Sequence, residues 1–273
     1  MTLASRPKPF LPLEILLSIL EVPFAVDTWE LVLTKPYQLL LVNRTTCNRL
    51  LSAFYRTVVL KSPTQLAQFF ETIRLSSHLG RLVCNLWVCT FDSGNASTQK
   101  FIGDTLSLGF LSTYTPNLQR LALPKLIEDV EFIVPSKESL LSRLHTLHVH
   151  STPSRAFFLY GISGVHLKNL QRLFITLPSE AEEGDSIISS SLWAVALVAA
   201  ISDRATSIKE LVLNVPAHPL NEACVGKIST QNSFTAIVRV SDKSKDEEEV
   251  AIYESWRVGG SLLEVHLASA SID

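Results

Sequence analysis

Glycine is scarce in this chain, at ten of 273 residues. Loops that wrap phosphate groups need several backbone positions free of a Cβ atom, so such loops are hard to build here. Neither G-x-x-x-x-G-K-[ST] nor G-x-G-x-x-G occurs, and "GISGVH" at 161–166 matches neither of these nor G-x-S-x-G. Cysteine is also sparse. Cys47, Cys84, Cys89 and Cys224 form no CxxC pair and no disulfide-like framework. They read as reduced thiols of a cytoplasmic and/or nuclear protein. A zinc site built on Cys84 and Cys89 lacks a second ligand pair at a suitable spacing. Charge is low and balanced, with 18% charged residues and a net charge of −2, so no long-range attraction to nucleic acid or to an anionic membrane is expected. Long hydrophobic runs are missing too. Glu14 and Glu21 interrupt the apolar N-terminal stretch, and the run Leu192–Ile201 is too short to span a bilayer. The carboxylates are scattered, with no pair spaced for acid/base work. These absences lead to an expectation of no cofactor, no metal and no catalytic residues, in a protein that is not an enzyme.

Hydrophobic residues, by contrast, make up 47% of the chain, enough for a sizeable core. "LPLEILLSIL", residues 11–20, begins with a proline suited to a first helical turn and a glutamate that favours the helix dipole. Leu13, Leu16, Leu17 and Leu20 recur at helical spacing, while Ile15 and Ile19 line the opposite side. A helix apolar on two sides needs two covers, of which the second can be a partner. A second helix is expected from about Pro36 to Phe54, with Leu39, Asn43, Cys47, Leu50 and Phe54 on one face. It leads into "YRTVVLKS", which has the β-branched density of a strand. Ser62, Pro63 and Gln65 then start a capped helix carrying Leu66, Phe69, Phe70 and Ile73.

From there a template of apolar-x-x-apolar-x-apolar repeats. It fits Val83-Leu86-Val88, Leu118-Leu121-Leu123, Leu144-Leu147-Val149, Leu170-Leu173-Ile175, Ile208-Leu211-Leu213 and Leu262-Val265-Leu267, at uneven intervals. Helical patterns occupy most gaps, about 98–112, 136–142, 153–160 and 187–204. Pro124, Pro178 and Pro216 end several strands. The expected fold class is α/β: a small helical unit over 1–61, then an irregular strand–helix solenoid with a parallel sheet over 62–273. "SFTAIVRVS" reads as a strand, and 248–257 fits a helix slightly better than a returning strand. The acidic run Asp246–Glu249 reads as a solvated loop or a helix start.

In such strands the residues between the template positions point to the opposite face of the sheet. In-register pairing places Arg120, Thr146, Arg172, Glu210 and Glu264 in one row, and Ala122, His148, Phe174, Val212 and His266 in the next. A third row begins His150, Thr176, Asn214. That open face is the candidate recognition surface for a protein target, with Arg120, His148, Arg172, Phe174, Glu210, Val212, Glu264 and His266 as its contacts. His148 and His150 project from one side of "LHTLHVHS", but His145 projects from the other and no acid or cysteine stands near, so no metal site is expected.

Taken together, "LPLEILLSIL", "LLLVNRTTCNRLLSAFYRTVVL" and the repeats resemble fungal F-box-like proteins, in which an F-box precedes irregular leucine-rich repeats. The tail matches at Phe54, Tyr55, Arg56, Val58 and Leu60. The resemblance implies a non-enzymatic substrate-recognition adaptor of a Skp–cullin–F-box ubiquitin ligase. Its partners would be the Skp-type subunit and a protein target. Carried over by position, adaptor docking falls to Leu11, Pro12, Ile15, Leu16, Ile19 and Leu20, with Leu41 and Val42 from the second helix. Two departures stand out: Thr46 occupies a position where the family usually has tryptophan, and an insertion around residues 24–35 separates the two helices. They motivate an alternative, a leucine-rich-repeat interaction module with a decayed F-box acting outside the ligase.

Overall fold

The structure, a computed structural model, describes residues 41, 44–89, 108–123, 140–150, 168–176, 207–216, 226–229, 235–241 and 245–258. Of the elements expected from sequence, the helix over 11–20, the last template segment at 262–267 and the helical patterns at 153–160 and 187–204 lie outside these residues.

The first described helix, α1 (Arg44–Arg56), passes without a break into strand β1 (Thr57–Leu60). Three further helices follow: α2 (Pro63–Leu75), the single turn α3 (Ser77–Gly80) and α4 (Leu108–Tyr114). A fourth, α5 (Leu140–Arg143), precedes strand β4. The start of α2 is fixed locally. Ser62 Oγ accepts a hydrogen bond from Gln65 N at 3.2 Å, and Gln65 Oε1 accepts one from Lys61 N at 2.7 Å. Pro63 fills the first turn, where its missing N–H costs nothing. The residues expected on its inner face, Leu66, Phe69, Phe70 and Ile73, are all buried.

One sheet organises the rest. Its strands are β1, β2 (Asn85–Val88), β3 (Arg120–Leu123), β4 (Thr146–His150), β5 (Arg172–Thr176), β6 (Glu210–Pro216), β7 (Gly226–Ser229) and β8 (Thr235–Ser241). The order is β1-β2-β3-β4-β5-β6-β8-β7. Every neighbouring pair is parallel except β7–β8, an antiparallel hairpin that places β8 beside β6. The class is therefore α/β with a largely parallel sheet. The division expected after residue 61 falls between two hydrogen-bonded strands, because β1 already pairs with β2.

All five template segments within the described residues are buried at all three positions. Leu86, Leu121, Leu147, Leu173 and Leu211 stand in register as one file through the core. Burying a leucine contributes about 1.5–3 kcal/mol, so this file alone drives much of the collapse. The entry to each strand also repeats. Gln119 N and Arg120 N both donate to Cys84 O, and His145 N and Thr146 N both donate to Gln119 O. Gln171 N with Arg172 N, and Lys209 N with Glu210 N, continue the pattern onto His145 O and Gln171 O. A side chain just before the first template leucine adds a further tie. Asn117 Nδ2 donates to Arg81 O at 2.6 Å, Arg143 Nη1 to Pro116 O at 2.9 Å, and Asn169 Nδ2 to Ser142 O at 2.6 Å. In each case the acceptor sits two residues before the first template residue of the previous segment.

The last described helix, α6 (Lys245–Val258), is continuous, so 248–257 is helical as the sequence pattern leaned. The acidic run 246–249 belongs to its first turns and is not a loop. Its place in the sequence suits the helix dipole.

Candidate functional site

The rows expected from sequence are present in the register drawn. Arg120 pairs with Thr146, Thr146 with Arg172 and Arg172 with Glu210, while Ala122, His148, Phe174 and Val212 align one step along. The rows begin two strands earlier than the pattern of alternates suggests. Asn85 and Trp87 of β2 extend these rows, and Thr57 and Val59 of β1 extend them further. The signal was available, since Trp87 lies between Leu86 and Val88 just as His148 lies between Leu147 and Val149.

The face is not open, however. Its second row is buried: Trp87, Ala122, His148, Phe174 and Val212 are each no more than 2% exposed. The cover is α6. Tyr253 and Trp256 each meet the Trp87 ring with centroids 5.2 Å apart, in edge-on geometry. Ile252, Tyr253 and Trp256 are themselves buried. The His148 ring also stacks on Trp87, at 5.2 Å with an interplanar angle of 26°. These two rings come from strands β2 and β4. They meet because the intervening residue, Ala122, is too short to separate them. Phe174 closes the row against His148 with its ring edge-on at 6.4 Å. His148, Phe174 and Val212, expected as contacts for a target, are buried members of the core. Polar side chains hide there because they pair with each other. Thr176 Oγ1 accepts from Asn214 Nδ2 at 3.1 Å and lies 3.0 Å from His148 Nε2, and Asn85 Nδ2 donates to Thr57 Oγ1 at 2.8 Å.

The first row is different. Arg120, Arg172 and Glu210 are half-buried and reach solvent at the rim of α6, while Thr146 between the arginines is fully buried. Arg120 Nη1 donates to Arg257 O at 2.7 Å, so its charge caps the carbonyl end of α6. Burial lowers the pKa of the Arg172 guanidinium, the adjacent Arg120 charge lowers it further, and Glu210 opposes both. Like charges this close are held together by the fold rather than by each other.

Of the remaining expected site residues, Glu264 and His266 lie outside the described residues, as do Leu11, Pro12, Ile15, Leu16, Ile19, Leu20 and Val42. Leu41 is described and is 78% exposed. Among the described residues, no group of three or more His, Cys, Asp or Glu is placed to hold a metal ion, and no helix is long and apolar enough to cross a membrane. No family model matches the chain, and no curated protein or solved structure matches it.

Proposed function

We propose that this chain is a non-enzymatic adaptor of a cullin-RING ubiquitin ligase, working in the cytoplasm and/or nucleus. Its N-terminal F-box-like segment docks a Skp-type subunit, and an irregular leucine-rich-repeat-like solenoid holds a protein target. The observation that carries this reading is the junction at Arg56–Thr57. A helix runs directly into the first strand of a sheet that then grows in chain order through six parallel strands. That is the arrangement expected of a docking handle fused rigidly to a repeat platform. The exposed Leu41, just before α1, is consistent with an apolar side chain left for a partner. With α6 over the sheet, a target meets the domain through its rim and connecting segments.

Co-purification of the full chain with a Skp-type subunit tests the docking step. Wild type should retain the subunit, and the double variant Ile15→Asp, Leu16→Asp should lose at least about tenfold of it, since burying an unpaired carboxylate in an apolar interface is costly. Equal recovery from both would overturn the reading. A second reading, an interaction module outside the ligase, is favoured by one observation. Thr46, at the family's tryptophan position, is buried and so offers no side chain to a partner. Folded wild type that retains no Skp-type subunit would select it.

A further inference from the structure

The entries to the strands line up a further file of residues. Cys84 N donates to the Arg56 carbonyl, and Gln119, His145, Gln171 and Lys209 each donate to the carbonyl of the file residue before, beginning with Cys84. The file thus runs Arg56–Cys84–Gln119–His145–Gln171–Lys209, one residue per strand from β1 to β6, and its five strand spacings cover about 24 Å. All of these residues except Cys84 are exposed. Two more exposed cations, Arg81 and Lys168, stand three positions before Cys84 and Gln171. Cations therefore gather at both ends of the file, with two amides and an imidazole between them. Within three positions of the file the one described carboxylate is Glu210, which is half-buried and stands in register with Arg172. The whole chain has slightly more acidic than basic residues, 26 against 24, so this edge departs from its average. Charge of one sign gathered on one surface steers and selects a partner of the other sign.

We propose that this strand-entry edge docks an extended acidic segment of a protein. Arg56 and Arg81 hold carboxylates at one end and Lys168 and Lys209 at the other. Gln119 and Gln171 between them donate to and accept from the peptide backbone. At roughly 3.3–3.6 Å per residue, about seven extended residues cover the file. Nucleic acid fits the same charge less well, because single strands are held largely by stacking on aromatic rings. No described residue within three positions of the file exposes a phenylalanine, tyrosine or tryptophan ring. The inference rests on the solenoid of the reading above and names the chemistry of its target, but it needs no Skp-type subunit.

The test is fluorescence anisotropy of the full chain, with no Skp-type subunit present, against a labelled peptide of about eight residues in which glutamate alternates with serine. A peptide with glutamine in place of glutamate, and an oligothymidine strand of similar span, serve as comparators. The acidic peptide should bind saturably, tighter than both, and more weakly as salt rises. Lys168→Gln and Lys209→Gln should each weaken its Kd by about two- to fivefold, the loss of one exposed ion pair, and the triple variant that adds Arg81→Gln by at least about tenfold. Lys61→Gln removes the same charge just past the exit end of β1 and should leave the Kd unchanged. All four side chains are exposed, so the variants should fold, which an unchanged unfolding temperature checks. No saturable binding, equal binding of the glutamine peptide, or equal weakening by Lys61→Gln and Lys209→Gln would overturn the proposal. Tighter binding of oligothymidine than of the acidic peptide would also overturn it and assign the edge to nucleic acid. Because the Skp-type subunit takes no part, failure here leaves the docking step standing, and failure of that step leaves this one standing.

Discussion

Gly80 ends the short turn α3 where the chain passes the Tyr114 backbone, and a Cβ added there would run into the Tyr114 carbonyl oxygen. Backbone cannot swing aside as a flexible side chain can. Gly80→Ala should therefore destabilise the protein by about 1–3 kcal/mol, read as a lower urea midpoint at unchanged slope. An unchanged midpoint would mean that the α4 segment shifts freely. Ala122 illustrates the converse constraint. Its small side chain is what lets the Trp87 and His148 rings stack across two strand spacings. Neither requirement is visible as a pattern, because each depends on which distant atom comes near one residue.

Between consecutive strands, the same short-range ties recur. Asn117, Arg143 and Asn169 occupy one position of the repeat and reach the same carbonyl of the preceding unit. Asn117→Ala and Asn169→Ala should each cost about 0.5–1.5 kcal/mol. In the double variant the losses should add, since the sites are separated by about two strand spacings and share no partner. Chemical denaturation of the two singles and the double checks this, and strong non-additivity would argue against independent ties. Regularity of this kind explains why the strands and their register were legible in the sequence. The apolar template marks each strand, and a period of two assigns its faces. The helical character of 248–257 was legible too. What was not legible is where that helix goes. Thr176, His148 and Asn214 look like surface residues until their mutual hydrogen bonds are seen, and polar residues in alternate positions ordinarily mean solvent. The β7–β8 hairpin matches no template and was found only in part, as the strand "SFTAIVRVS".

Long-range cohesion rests heavily on α6. Trp256 meets Trp87 of β2, and the bond from Arg120 to the Arg257 carbonyl spans 137 positions in sequence. Trp256→Ala should cost about 3–5 kcal/mol. It should also raise amide exchange at Leu86–Val88, although those residues lie far away in sequence, because the helix packs on Trp87. Loss confined to α6, with β2 protection unchanged, would show that the helix is only loosely seated. The same clasp bears on biosynthesis. Until a ribosome has translated past residue 257, Trp87 lacks its cover from Tyr253 and Trp256, and the nascent polypeptide carries a sticky aromatic side chain on the sheet. Such intermediates are the usual clients of chaperones. Expression of this protein should accordingly be sensitive to premature stops and to slow decoding at or before the codons of α6, far from where the damage would be felt.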